Sequence, residues 1–216
     1  MSVAENLQKV KDRLPKQVEL IAVSKTKPIE LIEEAYAAGH RHFGENRVAE
    51  LVEKQAQLPG DIRWHMIGHL QSKKVKHIVE FVHLIHGVDS FKLLETINRR
   101  AEMVDRKVNV LLQMHIAQEE SKYGFDAAEL EDLFKQPLSE QFPFVSVQGF
   151  MGMATFTENK EQIKNEFQVL AATFKQYQNQ IEGNTLSMGM SGDYPIAIEC
   201  GSNMLRIGSA IFGSRN

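Results

Sequence analysis

The sequence predicts a closed (β/α)₈ barrel, the TIM-barrel architecture, as a single α/β domain spanning residues 1–216. Eight short apolar segments alternate with longer segments in which apolar residues recur at helical spacing. No Pro-, Gly- or Ser-rich linker divides the chain, which favours one domain. The main alternative, an open doubly wound sheet, usually carries G-x-G-x-x-G after its first strand, and that motif is missing.

The repeating unit is clearest at the start of the chain. Segment 18–24 (VELIAVS) is apolar almost throughout, as in a strand covered on both faces, and Pro28 and Gly39 bound the helix that follows. The predicted strands are 18–24, 42–44, 63–67, 82–88, 108–114, 145–151, 185–188 and 204–207. The predicted helices are 28–39, 47–57, one lined by Ser72, Val75, Val79 and Val82, one lined by Leu94, Ile97, Ala101 and Val104, 127–134, a long one lined by Ile163, Phe167, Leu170, Phe174, Tyr177 and Ile181, and 194–200.

Composition narrows the functional class. The chain has 216 residues, 43% hydrophobic and 25% charged, as in ordinary globular proteins, and its net charge of −3 gives no general attraction to nucleic acid or anionic membranes. The basic cluster Lys73, Lys74 and Lys76 is interpreted as a solvated face. A lone cysteine, Cys200, fits a reducing compartment, and neither a signal peptide nor an apolar run of about 20 residues is present. We expect a cytoplasmic protein without nucleic-acid or membrane partners.

The end of the first predicted strand carries a candidate nucleophile. Side chains alternate along a strand, so Ile21, Val23 and Lys25 share a face, and Lys25 would cap an apolar column. Burial disfavours the ammonium form of an amine, and a neutral lysine can form a Schiff base with an aldehyde. The alternative is a salt-bridged lysine at the rim of the barrel. Lys27 and Lys122 are weaker candidates.

The loops after the seventh and eighth strands suit a phosphate. The seventh is followed by a glycine-rich turn with Ser191 close to a predicted helix, and the eighth ends in Arg206, Gly208 and Ser209. Phosphate sites recur at these two places in such barrels. The alternative is two tight turns in which serine is only a filler. After the second strand, Asn46 either donates into the mouth of the barrel or caps the next helix.

The histidines do not predict a metal site. His65 and His69 are four residues apart but flank a strand end and a glycine, and no H-E-x-x-H motif is present. His83, His86 and His115 alternate with apolar residues and are interpreted as core or rim residues. No Ser–His–Asp or Cys–His arrangement is evident.

Six motifs together carry a resemblance to a known family. They are AVSKTKP (22–28), HFGENRVAE (42–50), HMIGHLQSKK (65–74), ESKYGF (120–125), SMGMSGDY (187–194) and LRIGSAIFG (205–213). On these motifs the chain resembles the YggS/PROSC family of pyridoxal 5′-phosphate (PLP) homeostasis proteins from end to end. The resemblance implies a barrel similar to the N-terminal domain of alanine racemase.

The resemblance also implies a cofactor site. Lys25 would form the internal aldimine with PLP, Arg206 would face the pyridine nitrogen, and Asn46 would line the cofactor. The phosphate positions it implies are Ser191, Gly208 and Ser209, with the backbone amide of Met190 beside them. Two departures are visible: Ser209 stands where relatives usually have threonine, and Lys73 where they usually have asparagine.

The function implied is reversible holding of PLP without a complete catalytic apparatus. Because the sequence ends soon after the eighth predicted strand, we expect no second catalytic domain. The expected partners are PLP and apo forms of PLP-dependent enzymes, and the expected state is a monomer. An alternative is a small racemase or decarboxylase-type enzyme that uses Tyr123 or His65. Another is a barrel that binds a sugar or nucleotide phosphate without PLP.

Overall fold

The computed structural model describes residues 2–118 and 123–213, and its eight strands close into one parallel barrel. Each strand pairs with its neighbours in chain order, and the first strand closes the barrel on the eighth, with Ile21 opposite Arg206. This arrangement confirms the predicted fold class. The strands are β1 Glu19–Val23, β2 His42–Glu45, β3 Arg63–Met66, β4 Leu84–Val88, β5 Val108–Gln113, β6 Val145–Met151, β7 Thr185–Ser187 and β8 Met204–Ile207.

Helices surround the barrel. The first begins with a capping box, in which Ser2 Oγ accepts from the Glu5 amide and Glu5 Oε2 accepts from the Ser2 amide. The α-helices are α1 Val3–Lys11, α2 Ile29–Ala37, α3 Val48–Gln57, α4 Phe91–Glu102, α5 Ala127–Leu133, α6 Leu138–Gln141, α7 Lys160–Tyr177, α8 Tyr194–Glu199 and α9 Ser209–Phe212, and two 3₁₀ helices cover Ser72–His77 and Gln178–Gln180. None of these helices is long and apolar enough to cross a bilayer.

Strand alternation divides the core into two apolar clusters. Leu20 and Ala22 belong to the large cluster between strands and helices. Ile21, between them in sequence, belongs to a second cluster with Leu84, Leu111, Met151 and Met204. Because successive side chains of a strand point to opposite faces, the second cluster fills the interior of the barrel.

One predicted helix is shorter than expected. The segment after β3 forms a 3₁₀ helix at Ser72–His77 and then turns, so β4 begins at Leu84, two residues after the predicted start. The guanidinium of Arg106 donates to the carbonyls of Val79 and Val82, both at 2.7 Å. These bonds satisfy carbonyls that a continuing helix would otherwise have used.

Two further predictions, the solvated lysine cluster and the end of the long helix, have different outcomes. Lys73, Lys74 and Lys76 are all exposed, as a solvated face requires. The long predicted helix ends at Tyr177 rather than at Ile181, because Gln178–Gln180 tightens into a 3₁₀ turn. Ile181 still packs against the large apolar cluster.

Candidate functional site

A cavity of about 510 Å³ lies at the carboxyl ends of the barrel strands. Its size falls within the range of small-molecule sites, roughly 300–1,000 Å³. All seven residues predicted to bind a cofactor line it: Lys25, Asn46, Met190, Ser191, Arg206, Gly208 and Ser209. The structure therefore brings together residues from four separate regions of the sequence, the ends of β1, β2, β7 and β8.

The backbone on the N-terminal side of Lys25 is fixed by a buried polar cluster. Ser24 donates its hydroxyl to Glu45 Oε1 at 2.6 Å and its amide to the Gly44 carbonyl at 3.1 Å. The ammonium of Lys54 donates to Glu45 Oε1 and to the Ser24 carbonyl, both at 2.8 Å. Glu45 and Lys54 are buried, so this ion pair is shielded from water.

The backbone of Thr26, the residue after Lys25, is also fixed by a hydrogen bond. Thr26 adopts a positive φ of 62°, which is uncommon for a β-branched residue. Its amide donates to Glu50 Oε1 at 2.6 Å, and Lys54 donates to the same oxygen at 2.7 Å. Lys25, itself half-buried, therefore projects from a segment anchored on both sides.

The carboxyl of Glu45 is destabilised as an anion. Burial raises the pKa of Glu45 to about 7, against the lowering effects of its bonds to Lys54 and Ser24. Among the buried side-chain atoms of residues 2–118 and 123–213, Glu45 Oε2 alone has no hydrogen-bond partner. The unsatisfied Oε2 favours the protonated form, because both donors to Glu45 serve Oε1 and a buried carboxylate anion needs donors at both oxygens.

The turn after β7 requires glycine. Gly189 has a φ of +100°, and a Cβ on it would lie 2.6 Å from Ala197 Cβ. The next amide, that of Met190, donates to Asp193 Oδ1 at 2.6 Å. The Met190 amide, which the sequence resemblance places beside a phosphate, is thus engaged by a carboxylate on the same loop. Burial raises the pKa of Asp193, while the Met190 amide and the cation of Arg206 oppose that rise.

The turn after β8 approaches the first strand closely. A Cβ on Gly208 would lie 3.1 Å from the Val23 carbonyl oxygen, a tight contact that leaves little room for a larger residue between the two strand ends. Ser209 follows as the first residue of α9 and is exposed. Its hydroxyl and that of Ser191 both border the cavity.

Arg206 is a buried residue at the cavity, and its guanidinium is held by hydrogen bonds to β7 and to the residue after β6. Its Nη1 donates to the carbonyl and the hydroxyl of Ser187, and its Nη2 donates to the Gly152 carbonyl at 3.0 Å. Burial lowers the pKa of Arg206 to about 10, and nearby Asp193 opposes the shift, so the guanidinium remains a cation at neutral pH. The acceptors that make an inward arginine tolerable are therefore present.

A line of imidazoles runs from Arg206 toward the other end of the barrel. Ser187 Oγ, bonded to Arg206, lies 3.3 Å from His86 Nδ1. His86 Nε2 is 3.0 Å from His65 Nδ1, and His65 Nε2 is 3.0 Å from His42 Nδ1. Burial lowers the pKa of both His65 and His86 well below the ordinary value, so these two rings are neutral.

The family model for the alanine racemase N-terminal domain matches residues 1–216. The chain belongs to this family. Within it, pyridoxal phosphate homeostasis proteins are similar over most of the chain. The one from Haemophilus influenzae is 39% identical over 98% of this chain and 91% of its own length. The one from Schizosaccharomyces pombe is 38% identical over 93% and 85%. The YggS/PROSC resemblance read from the motifs is thereby confirmed.

Solved structures agree with this assignment. PipY of Synechococcus elongatus is 39% identical, and the match covers 98% of this chain and 100% of PipY. Its TM-score is 0.91 for the structure without PLP and 0.88 for the structure with PLP bound. Alanine racemase of Bartonella henselae, at 18% identity and a TM-score of 0.76, shares the fold, and the chain covers 58% of that enzyme.

Several members of the site were missed by sequence reasoning. Ile67, Met153 and Phe156 line the cavity, and Glu45 and Lys54 anchor the segment that carries Lys25. The sequence offered a signal for two of them: Ile67 ends one predicted strand, and Met153 lies two residues after another. The interpretation of Asn46 as a helix cap was wrong, since the N-cap of α3 is Arg47 and Asn46 lines the cavity.

The residues considered for an alternative enzyme lie elsewhere. Within the described ranges, neither His65 nor Tyr123 lines the cavity. His65 is fully buried in the line of imidazoles, and Tyr123 stacks on His69 at 4.0 Å between ring centroids. Lys122, the weaker candidate nucleophile, lies outside the described residues.

Proposed function

We propose that this chain binds PLP in the cavity at the carboxyl end of the barrel and serves in the homeostasis of that cofactor. The observation that carries the proposal is the convergence of all seven predicted residues on one cavity of suitable size. Its relatives named pyridoxal phosphate homeostasis protein, and PipY with PLP bound, support it. The donor set fits the cofactor, because a lysine, an arginine and two hydroxyls match an aldehyde, a ring nitrogen and a phosphate.

Lys25 is proposed to hold the cofactor covalently. Its primary amine condenses with the aldehyde of PLP, forming a C=N bond and releasing water. The bonds of Ser24 and Thr26 to Glu45, Glu50 and Lys54 fix the backbone around it, so the amine is delivered from a defined position. When bound, PLP supplies an electron sink, but the protein must supply the proton transfers for turnover.

The other residues are proposed to orient the cofactor. Arg206 faces the ring nitrogen, because a guanidinium carries five N–H donors and can serve this acceptor besides Ser187 and Gly152. The hydroxyls of Ser191 and Ser209 and the backbone at Gly208 receive the phosphate, with Met190 alongside. Asn46 completes the lining at the end of β2.

We infer further that the chain works as a cytoplasmic monomer that passes PLP to apo forms of PLP-dependent enzymes. The positions of His65 and Tyr123 away from the cavity support holding over turnover. Incubation of the PLP-loaded protein with an apoenzyme should restore that enzyme's activity, and light scattering should give the mass of one chain. Failure to restore activity under conditions where free PLP does so would contradict the transfer.

The binding proposal is tested by a pair of lysine variants. Lys25→Arg keeps the charge but removes the primary amine, so it should lose the visible absorption of the Schiff base entirely. Lys27→Arg, two residues away at the same cavity, should keep that absorption. Borohydride reduction followed by peptide mapping should place PLP on Lys25. Retention of the absorption band by Lys25→Arg would refute the assignment.

A further inference from the structure

Three histidines converge at the end of the barrel opposite the cofactor cavity. His42 is the first residue of β2, His83 immediately precedes β4, and His65 lies inside β3. One ligand nitrogen from each of the three lies within 4.8 Å of the others. The ring centroid of His83 is 5.7 Å from that of His42 and 5.2 Å from that of His65.

We propose that His42, His65 and His83 form a binding site for a divalent transition-metal ion of the zinc type. Imidazole nitrogen is a preferred ligand of Zn²⁺, Ni²⁺ and Cu²⁺, and three histidines with an open fourth position form a recurring zinc arrangement. His42 Nδ1 and His65 Nε2 are 3.0 Å apart. Nitrogens bound to one tetrahedral Zn²⁺ at about 2.0–2.1 Å lie roughly 3.3 Å apart, so the His42–His65 pair needs only a small shift, while His83 closes on the ion from within 4.8 Å.

The outer contacts of two histidines are those of metal ligands. A ligating histidine generally donates its second ring N–H to a carboxylate or another acceptor, which fixes the tautomer. His42 Nε2 lies 3.0 Å from Glu19 Oε1, and His65 Nδ1 lies 3.0 Å from His86 Nε2. With these two hydrogens so placed, His42 Nδ1 and His65 Nε2, 3.0 Å apart, are the two nitrogens left to ligate an ion.

The charges around the cluster are compatible with a cation. Arg63 Nη1 lies 3.1 Å from His42 Nε2 and would repel an ion, but its side chain is exposed and can turn toward solvent. Glu19, at the same nitrogen, supplies a compensating negative charge. His42 and His83 are each only partly buried, so the ion has a route to the site.

The test uses untagged, full-length protein treated with a chelator and then titrated with Co²⁺, whose visible absorption reports tetrahedral nitrogen coordination. Wild type should develop this absorption with saturation at a single ion, and added Zn²⁺ should displace it. His42→Ala and His83→Ala should each weaken Co²⁺ binding by about 100-fold or more, since they remove direct ligands. Glu19→Gln should weaken it by about 10–100-fold, as expected for an outer contact.

His77→Ala is the matched control, because His77 is exposed on the 3₁₀ helix Ser72–His77. It should bind Co²⁺ as wild type does. Circular dichroism checks that each variant is folded. Lys25→Arg should still bind Co²⁺ while it loses the Schiff-base absorption of PLP, so the metal proposal and the function proposed above can fail independently. Wild type without saturable Co²⁺ absorption, or His42→Ala and His83→Ala binding as tightly as wild type, would overturn the proposal.

Discussion

The surroundings of Lys25 distinguish it from an ordinary lysine at the rim of a barrel. Its neighbours Ser24 and Thr26 are bonded to a cluster made by Glu45, Glu50 and Lys54, four of whose bonds are 2.6–2.8 Å long. The buried Nζ of Lys54 donates to the carboxyl groups of Glu45 and Glu50 and to the Ser24 carbonyl at once. The position of the proposed nucleophile therefore depends on Glu45, Glu50 and Lys54, which do not line the cavity.

Glu45 should make the stability of the protein depend on pH. Its pKa is about 7 in the folded protein because of burial, against an ordinary value of 4.5. The native state holds the proton more tightly, so this contribution to stability is fully present below pH 4.5 and is lost as pH rises through about 7. Relative to Glu45→Gln, wild type should lose on the order of 2 kcal/mol between pH 5 and pH 8.

Urea denaturation of both proteins at the two pH values measures this difference. Glu140→Gln, at an exposed position on α6, is the control and should show no such change relative to wild type. A difference between wild type and Glu45→Gln that stays constant with pH would show that Glu45 does not titrate in this range.

At the scale of elements, the segments with strong periodicity were predictable and the short connecting turns were not. Strand β6 and the start of α7 follow apolar patterns that local sequence determines. The segment after β3 has a helical pattern but stops at His77, because Arg106, distant in sequence, takes the carbonyls of Val79 and Val82. A local pattern carries no information about such a partner.

The turn after β7 allows a matched glycine test. Gly189→Ala forces a side chain into a conformation with φ of +100° and a Cβ against Ala197, so it should cost about 1–3 kcal/mol of unfolding free energy. Gly192→Ala in the same loop meets nothing within 4 Å and should change stability by less than about 0.5 kcal/mol. Urea denaturation compares them, and equal losses would contradict the strain argument.

At the scale of the whole molecule, the barrel brings distant segments to one cavity. A path of polar side chains also runs through its interior from that cavity to the opposite end. Arg206 on β8 bonds to β7 through Ser187 and to the end of β6 through Gly152. From Ser187 the line of imidazoles continues through His86 and His65 to His42. The proposed metal site and the proposed cofactor site are thus opposite ends of one polar path through an otherwise apolar interior.

Arg206→Lys tests how this path supports the cofactor. Lysine lacks the planar fork of donors, so the variant cannot bond to Ser187 and Gly152 and also serve the ring nitrogen. We expect the dissociation constant for PLP to rise about tenfold or more, equivalent to about 1.4 kcal/mol, while the Schiff-base absorption still forms on Lys25. Equilibrium titration with PLP measures the dissociation constant. Arg99→Lys, at an exposed position on α4, is the control and should bind PLP as wild type does. Unchanged affinity in Arg206→Lys would contradict the proposed role of Arg206.

The sequence by itself determined the barrel and, through the family resemblance, predicted seven of the residues that line the cavity. Strand order in a parallel barrel follows chain order, so residues at successive strand ends must meet at the same end of the molecule. Only the tertiary structure decided the partners of those residues. Glu45 and Lys54 meet Ser24 across neighbouring elements, and the histidine cluster joins side chains from three segments. Such contacts depend on register and side-chain direction between segments, which no pattern within a single segment encodes.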